Sequence, residues 1–202
     1  MTSRPLILAS GSPYRRKMLE AAGLSFHVVP ADVDEAALKR GLAAQSPKPI
    51  SAAVADALAR AKAQSVSARH PDATVIGADQ ILALGDDLLD KPGDLAAARV
   101  QLERLRGKTH RLISAVVVAE AGKVLWTHVD EAVLTMRPFS REFLDRYLAE
   151  ADPGLCQIVG AYEIEGPGIQ LFERVEGDHF TIIGLPLVPL LAELRSRGVM
   201  AS

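Results

Sequence analysis

The 202-residue sequence contains one cysteine, Cys156. An internal disulfide is therefore excluded, which fits a reducing compartment. Aromatic residues make up only 4%, and no basic stripe with interleaved stacking residues is present, as a nucleic-acid-binding module would require. There is no excess of positive charge. The 23 Lys and Arg stand against 25 Asp and Glu, a formal charge of −2, whereas general nucleic-acid or membrane-surface binders usually carry a basic surplus. Long apolar runs are missing too. The opening stretch "RPLILAS" is too short for a signal peptide or a membrane span. The histidines at 27, 70, 110, 128 and 179 lack metal-ligand spacing, and Cys156 has no triad partner nearby in sequence, which argues against zinc or thiol catalysis. These absences predict a cytoplasmic globular protein with neither nucleic acid nor membrane as a partner.

What is present has ordinary proportions, 49% apolar and 24% charged, as in soluble globular proteins. The length suits a single domain over 1–202, with any two lobes sharing an interface, since no flexible linker divides the chain. Short β-rich runs alternate with helical ones. Leu6–Ala9 reads as a buried strand running into Ser10-Gly11-Ser12-Pro13, where Ser12 caps a helix that Pro13 begins and Gly23 ends. Phe26–Val29 is a second short strand. Ser51 to Arg69 is Ala-rich and helical, and Thr74–Leu84 is a strand that turns at Gly85-Asp86-Asp87 into Leu88-Leu89. Asp94 caps a helix ending before Gly107. His110–Ala119 and Val124–Met136 read as strands joined at Ala121-Gly122, and Ser140 caps a further helix. Ile169–Glu173 and Phe180–Ile183 read as strands around Glu176-Gly177-Asp178, and a final helix runs from about Val188 to Arg197. The pattern is α/β, with a mixed β-sheet and flanking helices.

Two stretches carry chemistry. Helix starts favour acidic residues because their free N–H groups carry partial positive charge. Here the first turn after Ser12-Pro13 holds Arg15, Arg16 and Lys17 instead. Such a placement suits an anion held by backbone N–H groups, serine hydroxyls and guanidinium groups together, with Gly11 permitting close approach. The bland alternative is a solvated basic face. In Val75-Ile76-Gly77-Ala78-Asp79-Gln80 an apolar strand reaches a carboxylate, which can bind a metal or take a proton from water. A structural Asp in a turn is the commoner fate, and period-2 alternation leaves its face open. Asp90-Lys91-Pro92 follows a hairpin's length later, so Lys91 can return toward Asp79 and neutralise phosphate, or pair with a surface acid. Asp32, Asp34, Glu35 and Lys62 each read alone as solvated charges. Gly107-Lys108-Thr109 resembles the end of a P-loop, but Leu102 stands where its earlier glycine belongs.

Four blocks together are more specific: "LILASGSPYRRKMLEAAGLSFHVVPADVDE", "VIGADQILAL", "DKPGDLAAARVQLERLRGKTHRLISAVVV" and "GAYEIEGPGIQLFERVEGDHFTIIGLPL". In order and over nearly the whole chain, they resemble the Maf family of nucleoside triphosphate pyrophosphatases. The resemblance implies a two-lobed mixed sheet with a central cleft, like that of inosine triphosphate pyrophosphatases. It also implies hydrolysis of a nucleoside triphosphate to monophosphate and pyrophosphate with a divalent cation, Mg²⁺ or Mn²⁺, and often a homodimer. By the same resemblance Asp79 is the proton acceptor, and Ser10, Ser12, Pro13 and Arg15 form the phosphate-side block. The family's lysines fall on Lys62, implied to bind phosphate, and on Lys91, implied to take part in catalysis. Glu35, with Asp79, is implied as a metal or phosphate-side residue.

Tyr14, Gln80 and Glu165 fall where the family's branches differ. The branch acting on dTTP and UTP has Arg, Thr and Gln at those places, whereas an aromatic, Gln and Glu resemble the 7-methyl-GTP branch, in which the aromatic is commonly Trp. A ring such as Tyr14 can stack on a cationic methylated purine, and Glu165 can accept guanine N–H groups. The implied role is house-cleaning of modified nucleotides. The competing expectations are dTTP/UTP specificity and a nucleotide-binding regulator of cell division with little catalysis.

Overall fold

The computed structural model describes residues 4–45 and 51–201. An uninterrupted apolar run has no face to offer solvent, and β1 (Leu6–Leu8) is buried at all three residues. The remaining strands are β2 (His27–Val28), β3 (Thr74–Leu84), β4 (Asp87–Leu89), β5 (Thr109–Glu120), β6 (Lys123–Met136) and β7 (Phe172–Glu176). They form one seven-stranded mixed sheet in the order β2-β1-β3-β5-β6-β7, with β4 beside β3. β1 runs parallel to β2 and to β3, while β4 is antiparallel to β3 and β7 to β6. The expected hairpin turns are in place. Gly85 at φ 62° separates β3 from β4, and Ala121 and Gly122, at φ 48° and 77°, separate β5 from β6.

The chain divides into two compact units. The first comprises Met1–Gln80, Ile113–Asp130 and Asp178–Ser202, and the second Ile81–Leu112 and Glu131–Gly177. In the first unit both sheet faces are covered, as a parallel arrangement requires. Alternation along β1 sends Leu6 and Leu8 to one face, where they meet Met18 and Leu19 of α1 (Pro13–Ala21) and Leu187, Leu190 and Leu194 of α7 (Leu187–Ser196). Ile7 and Ala9 go to the other face with Val75 and with Val66 of α3 (Ser51–Arg69). There Gly77 lets β3 lie against α3. A Cβ at that position would stand 2.5 Å from the Ala59 carbonyl oxygen and 2.7 Å from the Ala63 nitrogen.

Three elements depart from the sequence-based expectation. Glu35–Gln45 is a helix, α2, started by Asp34, whose Oδ1 accepts the Ala37 N–H at 2.8 Å. The acids after β2 thus include a cap, not only solvated charges. Phe180–Ile183, expected as a strand because it is aromatic and β-branched, lies instead in the short helix α6 (His179–Ile183). Asp178 caps it through the Thr181 N–H at 2.9 Å, and Gly184 at φ 114° ends it. Local capping outweighs β-propensity here. Pro167–Leu171 is a 3₁₀ turn, so β7 begins at Phe172 rather than Ile169.

In the second unit α4 (Leu95–Leu105) and α5 (Arg141–Ala149) begin at their expected caps, Asp94 and Ser140. His110 is buried there, with Nε2 2.7 Å from the Tyr162 hydroxyl and Nδ1 without a partner among the described residues. Burial therefore disfavours the charged ring and lowers its pKa from 6.5 to about 4. The unfolded chain takes up this proton near 6.5, whereas the folded one resists until about 4. Stability is therefore present above 6.5 and lost as pH falls toward 4, by up to about 3 kcal/mol. Denaturant titrations above and below that window should show the loss, and His110→Phe should remove this component of it.

Among the described residues no helix is long and apolar enough to cross a membrane.

Candidate active site

The start of α1 is built as its sequence suggests. Ser12 Oγ accepts the Arg15 N–H at 3.5 Å, and Ser10 Oγ accepts the Ser12 N–H at 3.2 Å. Of the three basic residues in this turn only Arg15 goes inward, to 8% exposure. Arg16 stays outside, paired with Glu20 at 2.7 Å, and Lys17 is also exposed. The Arg15 guanidinium is held on several sides. Nε donates to the Gly184 carbonyl at 2.8 Å, while Nη1 donates to Ser10 Oγ at 3.1 Å and to the Ala78 carbonyl at 2.9 Å. Burial lowers its pKa, against the opposing pull of Asp79 and Glu35. Arginine's high starting value keeps it charged.

Along β3 the alternation that turns Gly77 toward α3 turns Asp79 the same way. Asp79 is 6% exposed, and its Oδ1 lies 2.6 Å from Lys62 Nζ on α3. The same ammonium lies 2.7 Å from Glu35 Oε1, at the first residue of α2. Two helices and one strand thus bring Lys62, Asp79 and Glu35 to one point. Burial raises the Asp79 pKa, and the charges of Lys62 and Arg15 offset only part of that rise. A carboxylate in this setting is a better proton acceptor than a solvated one.

Gln80 turns away from Asp79. Its Nε2 lies 3.1 Å from Ser114 Oγ and from the Thr181 carbonyl, and 3.0 Å from the Ile182 carbonyl. Tyr14 is half-buried at the second residue of α1. Ser10, Ser12, Tyr14, Arg15, Glu35, Lys62, Asp79 and Gln80 all belong to the first unit, whereas Lys91 and Glu165 belong to the second and are exposed. Sequence reasoning did not find Gly184, Ser114 or the Ala78 carbonyl. The Asp178-to-Gly184 cap pair was the available signal for the first, and backbone carbonyls carry none.

Among the described residues no group of three or more His, Cys, Asp or Glu is placed to hold a metal ion. Glu35 and Asp79, which the Lys62 ammonium bridges, are nevertheless of the donor type that a hard cation such as Mg²⁺ takes. Mg²⁺ commonly takes one or two protein carboxylates and completes its shell with phosphate oxygens and water.

The family described as Maf-like protein matches residues 5–197, and the chain belongs to that family. It is similar, at 53% identity over 96% of this chain and 97% of the relative, to a 7-methyl-GTP pyrophosphatase from Rhizobium johnstonii. A nucleoside triphosphate pyrophosphatase from Paramagnetospirillum magneticum is 54% identical over 95% of this chain and 98% of its own length. Among solved structures, a nucleoside-triphosphatase (dITP/XTP pyrophosphatase) from Mycobacterium abscessus aligns with 96% of this chain and 95% of its own. Its identity is 13% and its TM-score 0.43, a likeness too slight to bear on the site.

Proposed function

We propose that the protein is a nucleoside triphosphate pyrophosphatase, releasing monophosphate and pyrophosphate, with 7-methyl-GTP as its preferred substrate. The observation that carries the reading is the buried Asp79, its pKa raised, set against Lys62 in the same unit as an inward-facing arginine at a helix start. Near-full-length similarity to enzymes of this name supports it.

In this mechanism the first turn of α1, with Ser10, Ser12 and Arg15, binds phosphate oxygens through N–H, hydroxyl and guanidinium donors. Asp79 orients a water and takes its proton as the water attacks the α-phosphorus. Lys62 keeps the Asp79 carboxylate aimed and supplies positive charge beside it. Glu35, joined by Asp79 in the alternative where that residue serves as ligand rather than base, would hold a divalent cation, Mg²⁺ or Mn²⁺, which neutralises triphosphate charge when bound. The same reading assigns Lys91 to the leaving pyrophosphate, and Tyr14, Gln80 and Glu165 to the choice of base. Destroying a modified nucleoside triphosphate in this way keeps it out of nucleic acid.

Pyrophosphate release measured across 7-methyl-GTP, GTP, dTTP, UTP and CTP, with Mg²⁺ or Mn²⁺, tests the reading. The expected result is a clear preference for 7-methyl-GTP. Preference for dTTP or UTP would keep the enzyme class and overturn the assignment of Tyr14, Gln80 and Glu165. Binding without release from any of them would favour a nucleotide-binding regulator.

A further inference from the structure

A short helix leaves its last carbonyls without intrahelical partners, and where they are buried something else must bond them. At the end of α6, a helix of 5 residues, the Gly184 N–H reaches the Phe180 and Thr181 carbonyls at 3.0 and 3.1 Å, and two side chains from different strands add bonds to the Thr181 and Ile182 carbonyls. Ser114 Oγ donates to the Thr181 carbonyl at 2.8 Å. The two N–H groups of the Gln80 amide are shared among the same carbonyl at 3.1 Å, the Ile182 carbonyl at 3.0 Å and Ser114 Oγ at 3.1 Å. Ser114 and Thr181 are both fully buried. The front of the helix is fixed as well, because Thr181 Oγ1 donates to Asp130 Oδ2 at 2.8 Å. Two residues beyond Ile182 stands Gly184, whose carbonyl receives Arg15 Nε. Gly184 neighbours both side chains: a Cβ there would make ordinary contacts, 3.5 Å from Gln80 Oε1 and 3.8 Å from Arg15 Nη2, and what demands glycine is its φ of 114°.

We infer that Ser114, acting with Gln80, is a positioning residue for Arg15. The clamp fixes the last turn of α6, that turn fixes the Gly184 carbonyl, and the carbonyl fixes the plane of the guanidinium. Of the five guanidinium N–H groups, the fold engages Nε and Nη1 through Gly184, Ser10 and Ala78. With Nε and Nη1 so engaged, Nη2 is the edge of the guanidinium that we assign to a ligand anion. On this account Gln80, besides its assigned part in the choice of base, influences the reaction through the orientation of Arg15. The inference rests on the proposed role of Arg15 in phosphate binding, but the clamp itself can be read without turnover.

The Arg15 Nε–H resonance in a ¹⁵N-labelled protein, assigned by its loss in Arg15→Lys, gives that reading through its rate of exchange with solvent. Ser114→Ala should speed the exchange about tenfold and lower kcat/KM for pyrophosphate release about fivefold, the scale of one lost buried hydrogen bond. Ser114→Thr, which keeps the hydroxyl, should restore much of the protection. Ser67→Ala removes an equally buried serine hydroxyl elsewhere in the first unit and should leave the Arg15 signal unmoved. Exchange in Ser114→Ala no faster than in Ser67→Ala would overturn the inference. So would faster exchange with undiminished kcat/KM. Absence of pyrophosphate release by the unsubstituted protein would instead count against the proposed function, leaving the exchange result to stand by itself.

Discussion

Asp79→Asn should reduce kcat for pyrophosphate release by about a thousandfold, the contribution of a well-placed general base, and leave the fold intact. Asparagine matches aspartate in size but cannot take a proton from water. Removing one member of a buried ion pair usually destabilises strongly because the other charge is left uncompensated. Lys62 would not be so left, because Glu35 also holds its ammonium at 2.7 Å. Burial already disfavours the Asp79 charge, so a neutral group there relieves a cost. Thermal melting should therefore change little while turnover disappears. Activity near that of the unsubstituted enzyme would contradict the assignment.

Gly77→Ala should have the larger effect on stability. The added Cβ would meet the Ala59 oxygen at 2.5 Å and the Ala63 nitrogen and Cβ at 2.7 Å. Two of these are backbone atoms of α3, so no side-chain rotation relieves the clash, and helix and strand must separate. Overpacking of this kind costs about 3 kcal/mol or more, roughly 6–12 °C in melting temperature for a chain of this length. Lys62 lies on the stretch of α3 that must move. The variant should therefore also lose activity by shifting the ammonium away from Asp79, even well below its melting temperature. A melting temperature like that of the parent chain would show that strand and helix can separate at little cost.

Much of this arrangement is legible in the sequence, for local reasons. Ser12-Pro13, Asp94 and Ser140 are caps with a mechanism, and each begins a helix as expected. The Arg15 placement stood out because it opposes the helix dipole, and Arg15 is the basic residue of that turn drawn inward. Where reading failed, a weak local signal was overridden or overlooked. The "FTII" of Phe180–Ile183 favours a strand by residue type, yet Asp178 and Gly184 bracket it as a helix. In α2, Gly41 and a scatter of alanines blur the helical stripe, which left Asp34 unnoticed as a cap. The meeting of Lys62 with both Asp79 and Glu35 depends on how the consecutive elements α2, α3 and β3 pack together, and no single segment encodes it. The carbonyls of Gly184 and Ala78 that orient Arg15 are anonymous in any sequence.

The two ends of the sheet differ from its interior in a way that bears on self-association. β2 is only 2 residues long, which offers an incoming strand almost nothing to grip. β7 is longer but largely exposed, and Glu173, Arg174 and Glu176 crowd its 5 residues with charge. A second copy adding a strand there would bring the same charges alongside and would have to strip their water. These two edges are thus guarded against open-ended growth into fibrils by strand addition.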